Sequence, residues 1–217
     1  YAGAAVTTGT DNTLIGGLAG DAATTASGTT FVGKSAGSAT TTGGDNTGLG
    51  KQALKSTTTG TANTAVGKDA LEANTTASNN TAVGFKTLEA NTTGSENIAL
   101  GSNSGDALTT GSFNIAIGVN ALGADTLGSR SVAIGRRTLM AQNFTSATDA
   151  YNVAIGFEAG NDITTGIQNT LIGGLAGDAI TTGASNTAVG YNSLSANTTG
   201  LANVALGQNA LSTNTTA

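Results

Sequence analysis

Residues 63–94 read NTAVGKDALEANTTASNNTAVGFKTLEANTTG, one phrase given nearly twice at an offset of seventeen. Aligned on Asn-Thr-Ala-Val-Gly, copies begin at Asn12, Thr29, Asn46, Asn63, Asn80, Asn97, Asn114, Ser131, Asn152, Asn169, Asn186 and Asn203. Every step is seventeen residues except one of twenty-one, and residues 1–11 fit as the tail of a thirteenth copy. A period sustained over the whole chain makes each copy one structural unit that is stable only when its neighbours stack on it.

Within a copy the fourth position is always Ile, Val or Leu, and the fifth is always glycine: Gly16, Gly33, Gly50, Gly67, Gly84, Gly101, Gly118, Gly135, Gly156, Gly173, Gly190 and Gly207. Glycine in every copy, with abundant Thr and Asn, disfavours helices of useful length. Short strands divided by turns fit better. One or two aliphatic residues per copy cannot enclose a core, but stacked coils bury a continuous column. The expected fold is therefore an all-β parallel β-solenoid of about thirteen coils forming one domain over residues 1–217, a rod on the order of 60 Å long at about 4.8 Å per coil. Stacking also sets like on like. The leading Asn forms a side-chain ladder, and the glycine marks a place with no room for a Cβ or with positive φ.

One covariation points to a packed interior. Where the ninth position is Leu (Leu54, Leu71, Leu88, Leu122, Leu139, Leu194, Leu211) the twelfth is polar. Where the ninth is Gly the twelfth is usually apolar (Val6, Ala23, Leu108, Ile163, Ile180), with Thr40 the exception. A single slot per coil, filled from either of two places, is what close packing demands and a disordered linker does not.

At SVAIGRRTL (131–139) and NVAIGFEAG (152–160) the chain resembles the heads of trimeric autotransporter adhesins, and NTAVGYNSLSANTTG (186–200) is similar to repeats of bacteriophage tail fibres. The resemblance implies a homotrimeric β-roll or β-solenoid shaft in an extracellular setting, on a virion or cell surface.

Catalytic constellations are scarce. The chain has no His and no Cys, which removes the usual nucleophile–base pairs and zinc sites. No enzyme activity, cofactor or metal is expected. A net charge of −5 with eight Lys and Arg in all argues against nucleic acid as partner, and no apolar run is long enough for membrane insertion. With the start at Tyr1, inside the pattern and without Met, a processed or partial chain is expected. Glu72, Glu89 and Asp106 share the tenth position of consecutive copies, a stack that would hold a cation or, more simply, form a solvated turn with Lys55 near Glu72. Lys34, Lys51 and Lys68 stack at the sixth position as a basic stripe that opposes lateral sheet pairing. GGLAG at 16–20 and 173–177 lacks the Lys-Ser/Thr of a phosphate loop. Asn-Thr-Thr at Asn74, Asn91, Asn197 and Asn214 matches a glycosylation acceptor but falls out of the repeat itself.

The long copy, 131–151, breaks the pattern and gathers the only three arginines at its start. A contact loop of Arg130, Arg136, Arg137, Phe144 and Tyr151 is expected there, for a glycan, a receptor or a neighbouring chain; a tolerated insertion at the seam of a duplication competes with it. The function expected is a structural shaft or adhesin segment of a viral or bacterial fibre. An extracellular filament polymerising end to end is the alternative, since no capping copy is visible. Ice binding ranks lower, because adjacent threonines such as Thr75-Thr76 would point to opposite faces of a strand.

Overall fold

A computed structural model describes residues 1–216. The chain is an all-β parallel β-solenoid, and among the described residues there is no helix. Twelve three-residue strands, from Thr13–Ile15 to Val204–Leu206, form one continuous parallel sheet in chain order. We number its strands as rungs one to twelve. Pairing is in repeat register throughout, as in Ala65↔Ala82 and Ala82↔Ala99. Twelve rungs enclose eleven complete turns, fewer than the thirteen expected. Residues 1–11 stack on the first turn (Gly3 N–H to Ala19 O, 2.9 Å; Thr7 N–H to Thr24 O, 3.0 Å) but contribute no strand.

The interior is built from residues the repeat makes inconspicuous. Along each strand it is the third position that turns inward, usually Ala (Ala65, Ala82, Ala99, Ala116), and the invariant aliphatic next to it faces out. Small inward residues let the coil close tightly, and the space left is filled by one large side chain. Leu54, Leu71, Leu88, Leu122, Leu139 and Leu194 fill it from the ninth position, and Leu108, Ile163 and Ile180 from the twelfth. The Thr40 exception has a physical cause. Phe31, at the third position, occupies that coil's slot; a Cβ on Gly37 would run into its ring, and one on Gly48 would lie 3.0 Å from it.

Polar groups of the first-position column are paired, whereas buried Thr40 Oγ1, Asn91 Oδ1 and Asn197 Nδ2 have no hydrogen-bond partner. Asn63, Asn80, Asn97 and Asn114 are buried at the first position and form the expected ladder. The Oδ1 of Asn80 accepts from the Asn97 N–H (2.9 Å), and its Nδ2 donates to Gly94 O (2.9 Å) and to Asn63 Oδ1 (3.2 Å). The glycine column follows as expected. A Cβ on Gly84, at φ +142°, would stand 2.6 Å from Gly101 O in the next coil.

Candidate contact site

The long coil keeps the solenoid's register and places its extra residues after Asn143, whose N–H still bonds Thr164 O (2.9 Å). The excess chain returns through a second, two-stranded parallel pairing, Thr148–Asp149 on Gly128–Ser129. The expected contact residues separate into two groups.

On the edge that enters the strand, Arg130 ion-pairs with Asp149 (Nε to Oδ1, 3.2 Å) and lies between two rings, Phe113 at 4.6 Å and Tyr151 at 6.0 Å. This stack is exposed. At the other end of the same strand Arg136 lies over the Phe157 ring at 5.7 Å. Arg137, beside it, is anchored to Glu158 (Nη1 to Oε1, 2.8 Å) and contacts Met140 Sδ. Arg130 and Arg136 thus stand at opposite ends of the three-residue strand Val132–Ile134. Phe144 does not join either group: it is buried and packs the loop. Sequence reasoning missed Phe113 and Phe157. The signal was present in the spacing, since Phe113 stands seventeen residues before Arg130 and is therefore stacked on it.

The acidic column is neutralised locally. Carboxylate oxygens of Asp69, Glu72 and Glu89 lie within 4.8 Å of one another. Each has its own cation: Lys68 on Asp69 (2.9 Å), Lys55 on Glu72 (2.9 Å) and Lys86 on Glu89 (2.9 Å). Donating its hydrogen bond to the Glu89 carboxylate raises the Lys86 pKa above the usual lysine value. Burial, with a smaller contribution from Glu89, raises that of the Asp106 carboxyl.

Two other motifs change meaning. Asn74, Asn91 and Asn197 are buried, so their Asn-Thr-Thr tripeptides offer no acceptor for glycosylation in the folded chain. The paired threonines lie at a bend rather than on a strand. Thr75 and Thr76 therefore do not point to opposite faces of a sheet. Thr75 is half-buried, with its hydroxyl donating to Thr92 O (3.1 Å), and Thr76 is exposed. One rank of hydroxyls is thus consumed by the backbone of the next coil, and a single rank (Thr59, Thr76, Thr93, Thr110) faces water.

No pocket is present among the described residues, and no helix is long and apolar enough to cross a membrane. Fold and surface together define a parallel β-solenoid repeat protein whose features are columns and stripes rather than a cleft. No family model, curated protein or solved structure matches the chain.

Proposed function

We propose that this solenoid is a structural segment of a fibre on a virion or cell surface, working as several copies, three on the resemblance to trimeric fibres, and making its outward contact through the arginine–aromatic groups at residues 130–157. The observation that carries the reading is the uninterrupted sheet of twelve rungs with its buried Asn ladder. Each coil fixes the next by backbone and amide hydrogen bonds, which is how a chain with few aromatic residues becomes a stiff rod of about 53 Å over its eleven turns. Arg130 and Arg136, each over an aromatic face, present planar donors and flat apolar surface together, a combination suited to sugar rings and to carboxylate groups.

Light-scattering mass with negative-stain imaging of the same sample tests the shaft. Discrete rods of several chains support it, and a monomer without elongated assembly overturns it. Polymers of indefinite length would favour the end-to-end filament instead. Replacing Arg130 and Arg136 with Ala should abolish adhesion to a cell or glycan surface; unchanged adhesion removes the contact role.

A further inference from the structure

We infer that Asp69, Glu72 and Glu89 form a calcium site that staples the coil beginning at Asn63 to the coil beginning at Asn80. The site is separate from the arginine–aromatic groups at residues 130–157 and leaves them free for their outward contact.

The first observation is where the repeat puts three carboxylates. Asp69 and Glu72 stand at the seventh and tenth positions of one coil. Glu89 is at the tenth position of the next, stacked on Glu72 through the Ala73 N–H to Glu89 O bond (3.0 Å). Stacking by period alone groups Glu72 with Glu89 and Asp106; the fold brings in Asp69 instead, and oxygens of Asp69, Glu72 and Glu89 all lie within 4.8 Å of one another.

The second observation is an orphaned oxygen. Asp69 is 5% exposed, and its Oδ1 is buried with no hydrogen-bond partner. An unpaired oxygen on a buried carboxylate is destabilising, and a bound cation supplies the missing partner. Other buried atoms lack partners too, Asp21 Oδ1 and Asp178 Oδ1 among them. Among the described residues only Asp69 has such an atom within a group of three carboxylates.

The lysines around the group leave room for an ion. Lys68 occupies Oδ2 of Asp69 (2.9 Å) and not Oδ1. Glu72 receives both Lys55 Nζ (2.9 Å) and Gln52 Nε2 (2.8 Å) on Oε1, so its Oε2 accepts no protein hydrogen bond among the described residues. Both carboxylates can therefore keep their lysines and still offer an oxygen. Only Lys86, bonded to both oxygens of Glu89 (2.9 and 3.1 Å), has to move. Its side chain is 37% exposed, and a pair open to water in this way is weak enough to exchange for a divalent ion. Asp106 follows Glu89 one coil on (Ala90 N–H to Asp106 O, 3.1 Å), so four carboxylates stand against Lys55, Lys68 and Lys86 before any ion binds.

Ligand chemistry and spacing select the ion. Carboxylate oxygens alone suit a hard cation. A calcium ion about 2.4 Å from each ligand spans oxygens up to about 4.8 Å apart, whereas magnesium at about 2.1 Å spans only about 4.2 Å. The group as it stands fits calcium, and magnesium would have to draw it together.

The test uses the full chain, stripped with EGTA and titrated with CaCl2 in a calorimeter. One ion per chain should bind with a Kd of about 0.1–1 mM, the range of extracellular calcium modules. In ~10 mM CaCl2 the thermal midpoint should rise, and NaCl of equal ionic strength should not reproduce the rise. MgCl2 should bind more weakly. Glu72→Gln with Glu89→Gln keeps side-chain shape at two partly exposed positions, so circular dichroism should be unchanged while the calcium response disappears. Lys86→Gln should tighten binding several-fold, because it frees the Glu89 carboxylate; a lysine with a structural role alone would leave the affinity where it was. A wild type that gives neither heat nor a calcium-specific rise in midpoint overturns the site. So does a calcium response that persists in the Glu72 and Glu89 double variant, or an affinity that Lys86→Gln leaves unchanged.

Discussion

Gln142 donates from Nε2 to Asp125 Oδ2 at 2.6 Å, joining two side chains that are both fully buried at the twelfth position of neighbouring coils. The pair repairs the Asn ladder where it is interrupted. Ser131 replaces Asn at the first position of the long coil, and Gln142 bridges the gap, donating to Ser131 Oγ (3.0 Å) and accepting from Asn152 Nδ2 (2.8 Å). Gln142→Ala should leave Asp125, Ser131 and Asn152 with lost partners in a dry interior and lower unfolding stability by about 3 kcal/mol. Denaturant titration of the two proteins measures it.

Burial raises the folded-state pKa of Asp125 above the ordinary 3.8, against the opposing hydrogen bonds from Gln142 and the Gly128 N–H. The folded chain therefore binds this proton more tightly than the unfolded chain does. Its contribution to stability is full below pH 3.8 and is lost as pH rises through the raised value. Asp106 and Asp178 are raised by burial as well and act in the same direction. Asp125→Asn should flatten part of that decline and leave the share of the other two. Thermal midpoints across the acid range would show the difference in slope.

The ninth-position leucines sit at positive φ, +51° for Leu71, where glycine is unstrained and a leucine costs about 1–2 kcal/mol. Leu71 holds this conformation because its side chain fills the slot. Leu71→Gly should relieve the strain yet open a cavity, for a net loss of about 3 kcal/mol. Adding Asn74→Leu supplies the volume from the twelfth position, as Leu108 does beside Gly105. The double variant should recover about half of the loss, Asn74's bond to Thr57 Oγ1 (3.1 Å) being sacrificed. A double-mutant cycle reads the coupling.

Those predictions show what a repeat makes legible. Stacking of identical residues follows from the period alone, so the Asn ladder, the glycine column and the shared slot could be read from the sequence. Which way a strand faces could not. In Thr64-Ala65-Val66 the eye favours Val66 for the core, yet a coil this narrow admits only Ala65, and Val66 goes outside. The corners were hidden for a related reason. Lys86, Phe113 and Arg130 all stand at positive φ without being glycine, asparagine or aspartate, so no turn residue announces them. Phe144 lies in the insertion, where no repeat register tells inside from outside.

The ladder also predicts where the rod is least tolerant of change. Asn80 satisfies three buried neighbours at once: the Asn97 N–H, Gly94 O and Asn63 Oδ1. Asn80→Ala removes little volume but orphans the Asn97 N–H, while Gly94 O keeps Asn91 Nδ2 and Asn63 Oδ1 keeps the backbone N–H of residue 80. At about 1–3 kcal/mol for a buried unsatisfied group, the loss should be about 2 kcal/mol. Asn80→Asp keeps the acceptor, loses both donors and buries a charge, so it should be at least as harmful near neutral pH and should regain stability on acidification, when the carboxyl can donate again. Asn12→Ala should cost less, because the Asn12 side chain is only partly buried and lies on the first rung. Hydrogen exchange at the Asn97 amide would localise the effect. Protection there should fall in both Asn80 variants and remain unchanged in Asn12→Ala.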